Sequence, residues 1–219
     1  MVKTLSGRLK IGKIMKIYYL FDPLCGWCYG AKPALETVAS QYPVELTPTG
    51  LFFRSGRVMD ADFAQYAWGN DQRIQRLTGQ AFSTAYRENV LQGGGQFDSQ
   101  NSLLALTAVR EMAPEQEIAV LSALQTARYV DGRNNADLNV IADILHTQGL
   151  GDVVPKLHDP KTEQALLARI NFGQQLTQRL GVSGVPQLVL ERDGEWELVP
   201  SQLLFGDGGG LLNAFGQGS

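Results

Sequence analysis

The two cysteines of the chain, the only ones it has, lie three residues apart between a strand-like and a helix-like segment. The apolar and aromatic run 17–21 has the composition of a strand, and it ends at Asp22 and Pro23, a pair that favours a turn. From Cys25 to the stop at Pro43, apolar residues recur at helical spacing. Cys25 is therefore predicted to lie at the start of a helix.

A cysteine at a helix start is a candidate nucleophile. The unpaired N–H groups and the positive end of the helix dipole favour the thiolate over the thiol, and Cys28 lies one turn along the same face. A structural zinc site would need four ligands, and besides the cysteines only His146 and His158 remain, outside any zinc-finger spacing. We expect no metal, and two inert buried thiols are the remaining alternative.

A second motif lies near the end of the chain, where Gly-Val-Ser-Gly-Val-Pro spans 181–186. Pro186 precedes the strand-like run 187–190, and because proline cannot donate a ladder hydrogen bond it belongs at the first strand position or in the loop before it. Most X-Pro bonds in folded proteins are trans, so this local sequence alone predicts a trans bond between Val185 and Pro186.

Taken together, the two motifs resemble the thioredoxin superfamily. The strand, turn, Cys-Gly-Trp-Cys and helix come first, and Val-Pro before a later strand comes second. The length between them is similar to the DsbA branch, in which a helical domain interrupts the thioredoxin fold. The run Asp-Pro-Leu-Cys-Gly-Trp-Cys over 22–28 looks most like the cytoplasmic FrnE-type proteins of that branch.

The resemblance implies both a fold and a site. The fold class is α/β, a thioredoxin fold with a central mixed β-sheet flanked by helices, interrupted by an inserted all-helical domain. The catalytic pair is Cys25 and Cys28, and the Val185–Pro186 bond is cis and lies against Cys25. The backbone of Val185 would pair with an extended substrate, so the candidate substrate-binding residues are Trp27, Gly184, Val185 and Pro186.

The predicted domain organisation follows from this fold. Residues 1–14 are expected to be a flexible N-terminal extension, 15–58 and 161–219 a thioredoxin-like domain, and 59–160 the inserted helical domain.

Several local elements are also predicted. A second strand over 44–53 is expected to run parallel to the first, with its proline at a sheet edge or a bulge. Asp60 and Asp71 are each predicted to cap a helix, and 161–180 forms a long helix. Asp-Gly at 193–194 predicts the turn of a hairpin.

One departure from the family leaves the direction of exchange open. Thioredoxins and DsbA commonly carry a buried acid six residues before the nucleophilic cysteine, and Tyr19 occupies that position here. Asp22 is explained as a turn-forming acid before a proline. Gly26-Trp27 matches neither the Gly-Pro of thioredoxin nor the Pro-His of DsbA.

The resulting interpretation is a thiol–disulfide oxidoreductase that acts on a disulfide-containing protein or a small thiol, with an unspecified recycling partner and no cofactor beyond its own cysteine pair. One alternative is a kappa-class glutathione transferase or hydroxychromene carboxylate isomerase, which uses glutathione as co-substrate but usually has serine where Cys25 stands. A non-enzymatic peptide-binding or chaperone module is the other.

The charge and the hydropathy of the sequence limit the binding partners and the cellular compartment that we expect. The net charge is −3 with no basic run, which gives no basis for binding nucleic acid or an anionic membrane. Residues 1–14 lack the apolar core and cleavage site of a signal peptide, so we expect a cytoplasmic protein, or a periplasmic one only if a signal was replaced. A monomer and a dimer are both compatible with the sequence.

Overall fold

A mixed four-stranded sheet forms the centre of the fold in this computed structural model, which describes residues 15–206 and 209–216. The predicted extension 1–14 lies outside the described residues. The strand order is β2-β1-β5-β6. The strands are β1 (Met15–Phe21), β2 (Val44–Pro48), β5 (Gln187–Arg192) and β6 (Glu195–Leu198).

Strand β1 lies between a parallel and an antiparallel neighbour. Its Ile17 pairs with Val44 of β2 in the parallel ladder and with Leu190 of β5 in the antiparallel ladder. The predicted parallel pairing and the edge position of the proline in β2 are therefore confirmed. The second strand ends at Pro48, earlier than predicted, because the chain turns at Gly50 with a φ of 67°.

The hairpin of β5 and β6 closes as its sequence predicts. Asp193 and Gly194 have φ angles of 53° and 86°, so both central residues are left-handed, as a two-residue turn between twisted strands requires.

Two short helices connect β1 to β2. They are α1 (Gly26–Gly30) and α2 (Lys32–Ala39), and they replace the single helix that the sequence predicts. The break falls at Ala31, whose φ of −84° and ψ of 0° lie outside the helical range. Pro33 in the first turn of α2 explains the break, since it lacks the N–H that would continue a helix from α1.

The rest of the described chain is mostly helical. Its α-helices are α3 (Ala61–Thr78), α4 (Gln100–Met112), α5 (Glu117–Tyr129), α6 (Leu138–Thr147), α7 (Pro160–Leu180) and α8 (Gly209–Gly216). A π-helix covers Tyr86–Leu91, and 3₁₀-helices cover Pro114–Gln116, Gly151–His158 and Ser201–Phe205. The intervening region is not entirely helical, because β3 (Arg57–Val58) and β4 (Gln96–Phe97) form a two-stranded antiparallel ladder.

Of the two predicted caps in this region, one is correct and one is wrong. Asp60 caps α3, and its side chain accepts a hydrogen bond from the Phe63 N–H at 2.8 Å. Asp71 caps nothing, because α3 continues through it to Thr78. Its carboxylate is buried and binds the Tyr86 hydroxyl instead, so a tertiary contact replaces the local capping interaction.

One apolar cluster contains side chains of both the sheet and the helices. Buried side chains of the sheet, such as Tyr19 and Leu46, belong to the same cluster as Leu106, Leu121 and Leu166 of the helices. The two parts of the fold therefore pack against each other directly, while the exact domain limits stay a prediction. No helix in the described ranges is long and apolar enough to cross a bilayer.

Candidate active site

The turn after β1 places Cys25 at the start of α1. The Cys25 N–H donates to the Asp22 carbonyl at 3.1 Å, and the Leu24 N–H donates to the Asp22 carboxylate at 2.9 Å. Cys25 then has extended dihedrals, φ −80° and ψ 117°, and is the N-cap residue of α1. The Asp-Pro turn therefore fixes the direction in which the helix leaves the sheet.

The two sulfur atoms differ in their surroundings. Both cysteines are free, with Cys25 6% and Cys28 1% exposed. Burial raises the pKa of the Cys28 thiol well above its ordinary value, and the neighbouring Cys25 raises it further. Cys28 is therefore held in its protonated form, and Cys25 is the slightly more exposed of two buried residues.

The loop before β5 lies against Cys25. The Val185–Pro186 bond is cis, which confirms what the family resemblance implies and corrects the trans bond predicted from local sequence alone. The Cys25 thiol donates to the Val185 carbonyl at 3.7 Å. The fold thus brings together the two motifs that the sequence analysis singled out.

A groove of about 480 Å³ opens beside this loop, and we call it the Val185 groove. Gly184 and Val185 form part of its wall, and the wall contains no charged side chain. The remaining lining residues come from the turn after β2, from α7 and from the same loop: Thr49, Leu51, Gln174, Thr177, Gln178, Gly181, Val182 and Ser183.

Trp27, the remaining predicted substrate-binding residue, has different neighbours. It is half-buried in the first turn of α1, where its ring packs edge-on against Phe205 with 5.2 Å between centroids. The Arg73 guanidinium lies 5.8 Å from the centre of the indole. Trp27 is not part of the wall of the Val185 groove.

Asp22 does more than form a turn, which the sequence analysis missed. Its side chain is fully buried and accepts hydrogen bonds from the N–H groups of Leu24 and Phe52 and from the Ser99 hydroxyl, at 2.9, 3.0 and 2.9 Å. Burial raises the pKa of its carboxyl to about 6 even though these bonds lower it. Its charge raises the pKa of Cys28, but a hydrogen bond to the Asp22 backbone lowers that pKa by more.

A second buried acid, Asp71, lies against the Cys-Gly-Trp-Cys segment. A Cβ atom built on Gly26 would be 2.5 Å from Asp71 Oδ1, and one built on Gly30 would be 2.6 Å from Ile74 Cγ2. The two glycines, four residues apart, let α1 pack closely on α3. Burial raises the pKa of Asp71 to about 7, partly offset by the Tyr86 hydroxyl and by Arg128.

Tyrosine hydroxyls hold the backbone around the cysteines. Tyr129 donates to the Leu24 carbonyl at 2.8 Å, and Tyr19 donates to the Cys28 carbonyl at 3.3 Å. Within 15–206 and 209–216, no group of three or more His, Cys, Asp and Glu side chains is arranged to hold a metal ion.

The fold and this site define a class of protein. A mixed sheet flanked by helices, with two cysteines at a helix start beside a cis-proline loop, is the arrangement expected of the thioredoxin superfamily. The family model of the DSBA-like thioredoxin domain matches residues 16–206, so the chain belongs to this family. The predicted family and fold class are thereby confirmed.

Solved structures agree with this assignment. The cytosolic disulfide reductase DsbM from Pseudomonas aeruginosa is 29% identical, with a TM-score of 0.84 over 93% of this chain and 100% of that chain. A structure of DsbM with GSH is 28% identical, with a TM-score of 0.81 over 91% and 98% of the two chains.

A more distant structure is similar in fold alone. It is a putative protein disulfide isomerase from Nitrosomonas europaea, 22% identical, with a TM-score of 0.75 over 94% of this chain and 99% of that chain. A search of curated protein sequences finds no match.

Proposed function

We propose that this protein is a cytoplasmic thiol–disulfide oxidoreductase that reduces disulfides through Cys25 and Cys28 and is itself reduced by glutathione. One observation carries the proposal: the Cys25 thiol lies 3.7 Å from the Val185 carbonyl, with Cys28 buried behind it. A substrate bound along the cis-proline loop would present its disulfide to Cys25, the more exposed of the two cysteines.

The reaction consists of two exchange steps. The Cys25 thiolate attacks one sulfur of a substrate disulfide, which forms a mixed disulfide and releases the other sulfur as a thiolate. The Cys28 thiol then loses its proton and attacks Cys25. The mixed disulfide breaks, the second substrate thiol leaves, and the Cys25–Cys28 disulfide holds the oxidation equivalent. The substrate has gained two electrons, which the dithiol has lost.

Glutathione restores the dithiol by the same chemistry in reverse. Two molecules of glutathione supply two electrons and two protons and leave as glutathione disulfide. Support for this reductant comes from the structure of DsbM with GSH, a protein 28% identical to this one. The name of DsbM as a cytosolic disulfide reductase supports both the reductive direction and the cytoplasmic location.

The Val185 groove fits a small or extended substrate. Its wall combines amide and hydroxyl groups with apolar side chains and has no charged side chain. The exposed peptide groups of the loop offer hydrogen bonds to a backbone, which is how extended peptides add to a sheet or loop edge. Gly184 and Val185 are therefore proposed to bind the substrate, with Pro186 shaping the loop.

The test is glutathione-dependent disulfide reduction followed in a glutathione reductase coupled assay, with 2-hydroxyethyl disulfide as substrate. We expect Cys25→Ser to fall to background. We expect Cys28→Ser to accumulate a mixed disulfide with glutathione on Cys25, detected by intact-protein mass spectrometry, since the resolving thiol is missing. Ser122→Ala, a change at a distant helix, serves as the matched control and should retain full activity.

The two alternatives predict different results from the same variants. A glutathione-dependent transferase or isomerase needs only one cysteine, so it would retain its activity toward glutathione in Cys28→Ser. A peptide-binding module would keep its function in Cys25→Ser. Failure of the wild-type protein to form the Cys25–Cys28 disulfide in glutathione buffers would refute the proposed exchange.

A further inference from the structure

Asp71 belongs to α3 and yet lies against the Cys-Gly-Trp-Cys segment, and the mechanism above does not use it. We propose that Asp71 is a positioning residue that makes the Cys25–Cys28 pair a stronger reductant by holding a carboxylate beside the residue that follows Cys25. This inference rests on the proposed thiol–disulfide exchange and adds to it the residue that sets its direction.

The contact with Gly26 carries the inference. Asp71 Oδ1 occupies the space in which a side chain at position 26 would begin, 2.5 Å from the ideal Cβ position. Asp71 is 4% exposed, so little water screens its charge. Because Gly26 is the peptide neighbour of Cys25, a charge on Asp71 acts on a thiolate at Cys25 through the protein interior.

The groups around Asp71 allow it to carry that charge. The Tyr86 hydroxyl donates to Asp71 Oδ2 at 2.9 Å, and Arg128 favours the carboxylate through its positive charge. The charge of Asp71 also contributes to raising the pKa of the buried Tyr129 hydroxyl. Tyr86 belongs to the π-helix that contacts α3, and Arg128 and Tyr129 belong to α5, so all three groups come from other elements of the chain.

Arg128 lies fully inside this cluster, at 1% exposure. Its Nη1 is 3.4 Å from the amide oxygens of Asn134 and Asn135, while Nε and Nη2 have no hydrogen-bond partner in the described part of the chain. The guanidinium also lies over the Tyr86 ring, 5.6 Å from its centre. The positive charge of this buried, under-bonded cation lowers the pKa of Asp71 and so favours its carboxylate form.

The direction of the effect follows from the charge. Reduction of the disulfide frees Cys25, which reacts as a thiolate. The negative charge of the nearby Asp71 carboxylate disfavours that thiolate. A less stable reduced form gives up its electrons more readily. DsbA is a strong oxidant for the opposite reason, since its reduced form is stabilised. Asp71 therefore shifts the pair toward reduction of substrates.

The charge has a pH signature that a purely structural residue would not have. Because burial raises the pKa of Asp71 to about 7, the carboxyl of the wild-type protein is largely protonated at about pH 6 and largely charged at about pH 8. Asp71→Asn removes the charge and retains an oxygen that accepts from Tyr86. Its effect should therefore be large at the higher pH and small at the lower one.

The experiment measures the dithiol–disulfide equilibrium of wild type and Asp71→Asn in glutathione buffers at both pH values. At about pH 8 we expect the equilibrium constant of Asp71→Asn to move about tenfold toward the dithiol, which is a potential about 30 mV more oxidising. At about pH 6 the two proteins should differ less than threefold.

Two further variants make the result specific. Asp62→Asn removes an exposed acid of the same helix and should leave the equilibrium unchanged at both pH values. Tyr86→Phe removes the donor to Asp71, so the charge should form only at higher pH and the potential of Tyr86→Phe should approach that of Asp71→Asn near neutrality. This variant keeps the test valid if Asp71→Asn does not fold.

The outcomes separate this inference from the proposed function. Equal potentials for wild type, Asp71→Asn and Tyr86→Phe at about pH 8, with an intact Cys25–Cys28 disulfide, would overturn the role of Asp71 and leave the exchange reaction standing. A shift of the same size at both pH values would also overturn it, because the ionisation of Asp71 would then not matter. A wild-type protein that forms no disulfide would refute both.

Discussion

Replacing Gly26 by alanine tests the packing of α1 on α3 directly. An alanine Cβ at this position would lie 2.5 Å from Asp71 Oδ1 and 3.1 Å from Ile74 Cδ1. The Ile74 contact is with the end of a flexible side chain, which moves at little cost. The Asp71 carboxylate is buried and bonded to Tyr86, so it or α1 must shift.

The expected change in the free energy of unfolding follows from two opposing contributions. Overpacking of a filled interior costs about 1–3 kcal/mol. Alanine gains up to about 1 kcal/mol over glycine in a helix, and less at the first helical position that Gly26 occupies. We therefore expect Gly26→Ala to lower the free energy of unfolding by about 1–2 kcal/mol. In an Asp71→Ala background the carboxylate is gone, and the same change should cost nothing or stabilise slightly.

Urea unfolding of the four proteins in this cycle gives the coupling energy between the two sites, which we expect to be about 1–2 kcal/mol. Gly69→Ala is the matched control. Gly69 lies in α3 with no atom within 4 Å of its ideal Cβ, so alanine there should stabilise both backgrounds by about 0.5–1 kcal/mol. If Gly26→Ala stabilised the wild-type protein as Gly69→Ala does, the close contact between α1 and Asp71 would be refuted.

Three further predictions concern stability. Arg169→Met removes the shorter of the two ion pairs of the buried Glu117 carboxylate, leaves only Arg110 at 3.7 Å, and should cost up to about 3–5 kcal/mol in urea unfolding, whereas Arg133→Met breaks an exposed pair and should cost less than about 1 kcal/mol. Tyr129→Phe removes the donor to a buried carbonyl and should cost about 1–3 kcal/mol in the same assay; no loss would contradict that bond. The raised pKa of Asp22, about 6, contributes stability that is fully present below about pH 4 and lost as the pH rises through about 6; Asp22→Asn should flatten this fall by on the order of 3 kcal/mol in unfolding measured from pH 4 to 7, and an unchanged slope would refute it.

Local sequence signals predict much of this fold because each depends on only a few neighbouring residues. The Asp-Pro turn and the hairpin turn at 193–194 both require particular backbone angles, and the structure has them. Cys25 at a helix start follows from the same local signals. The cis bond before Pro186 does not follow from local signals, which favour a trans bond; only the family resemblance predicts it.

The surroundings of the cysteines depend on contacts between distant segments, and the sequence analysis missed them. Asp71 is of a residue type that commonly caps helices, and only the packing of α3 on α1 shows that it is buried inside α3 instead. Gly26 and Gly30 are the signal that would have pointed there. Two glycines four residues apart on one helix face indicate that another element approaches closely, although they do not say which one.

The two buried acids differ in how freely they can exchange a proton. Tyr19 occupies the position at which thioredoxins and DsbA commonly carry a buried acid. In this protein the buried carboxyls near the cysteines are those of Asp22, in the turn after β1, and Asp71, in α3. Asp22 accepts hydrogen bonds from two backbone N–H groups and one hydroxyl, and protonation must disturb this arrangement. Asp71 accepts one hydrogen bond, from Tyr86, among the described residues. Asp71 can therefore change its charge with less rearrangement, which makes it the better candidate for setting the potential of the pair, with Asp22 maintaining the turn that presents Cys25.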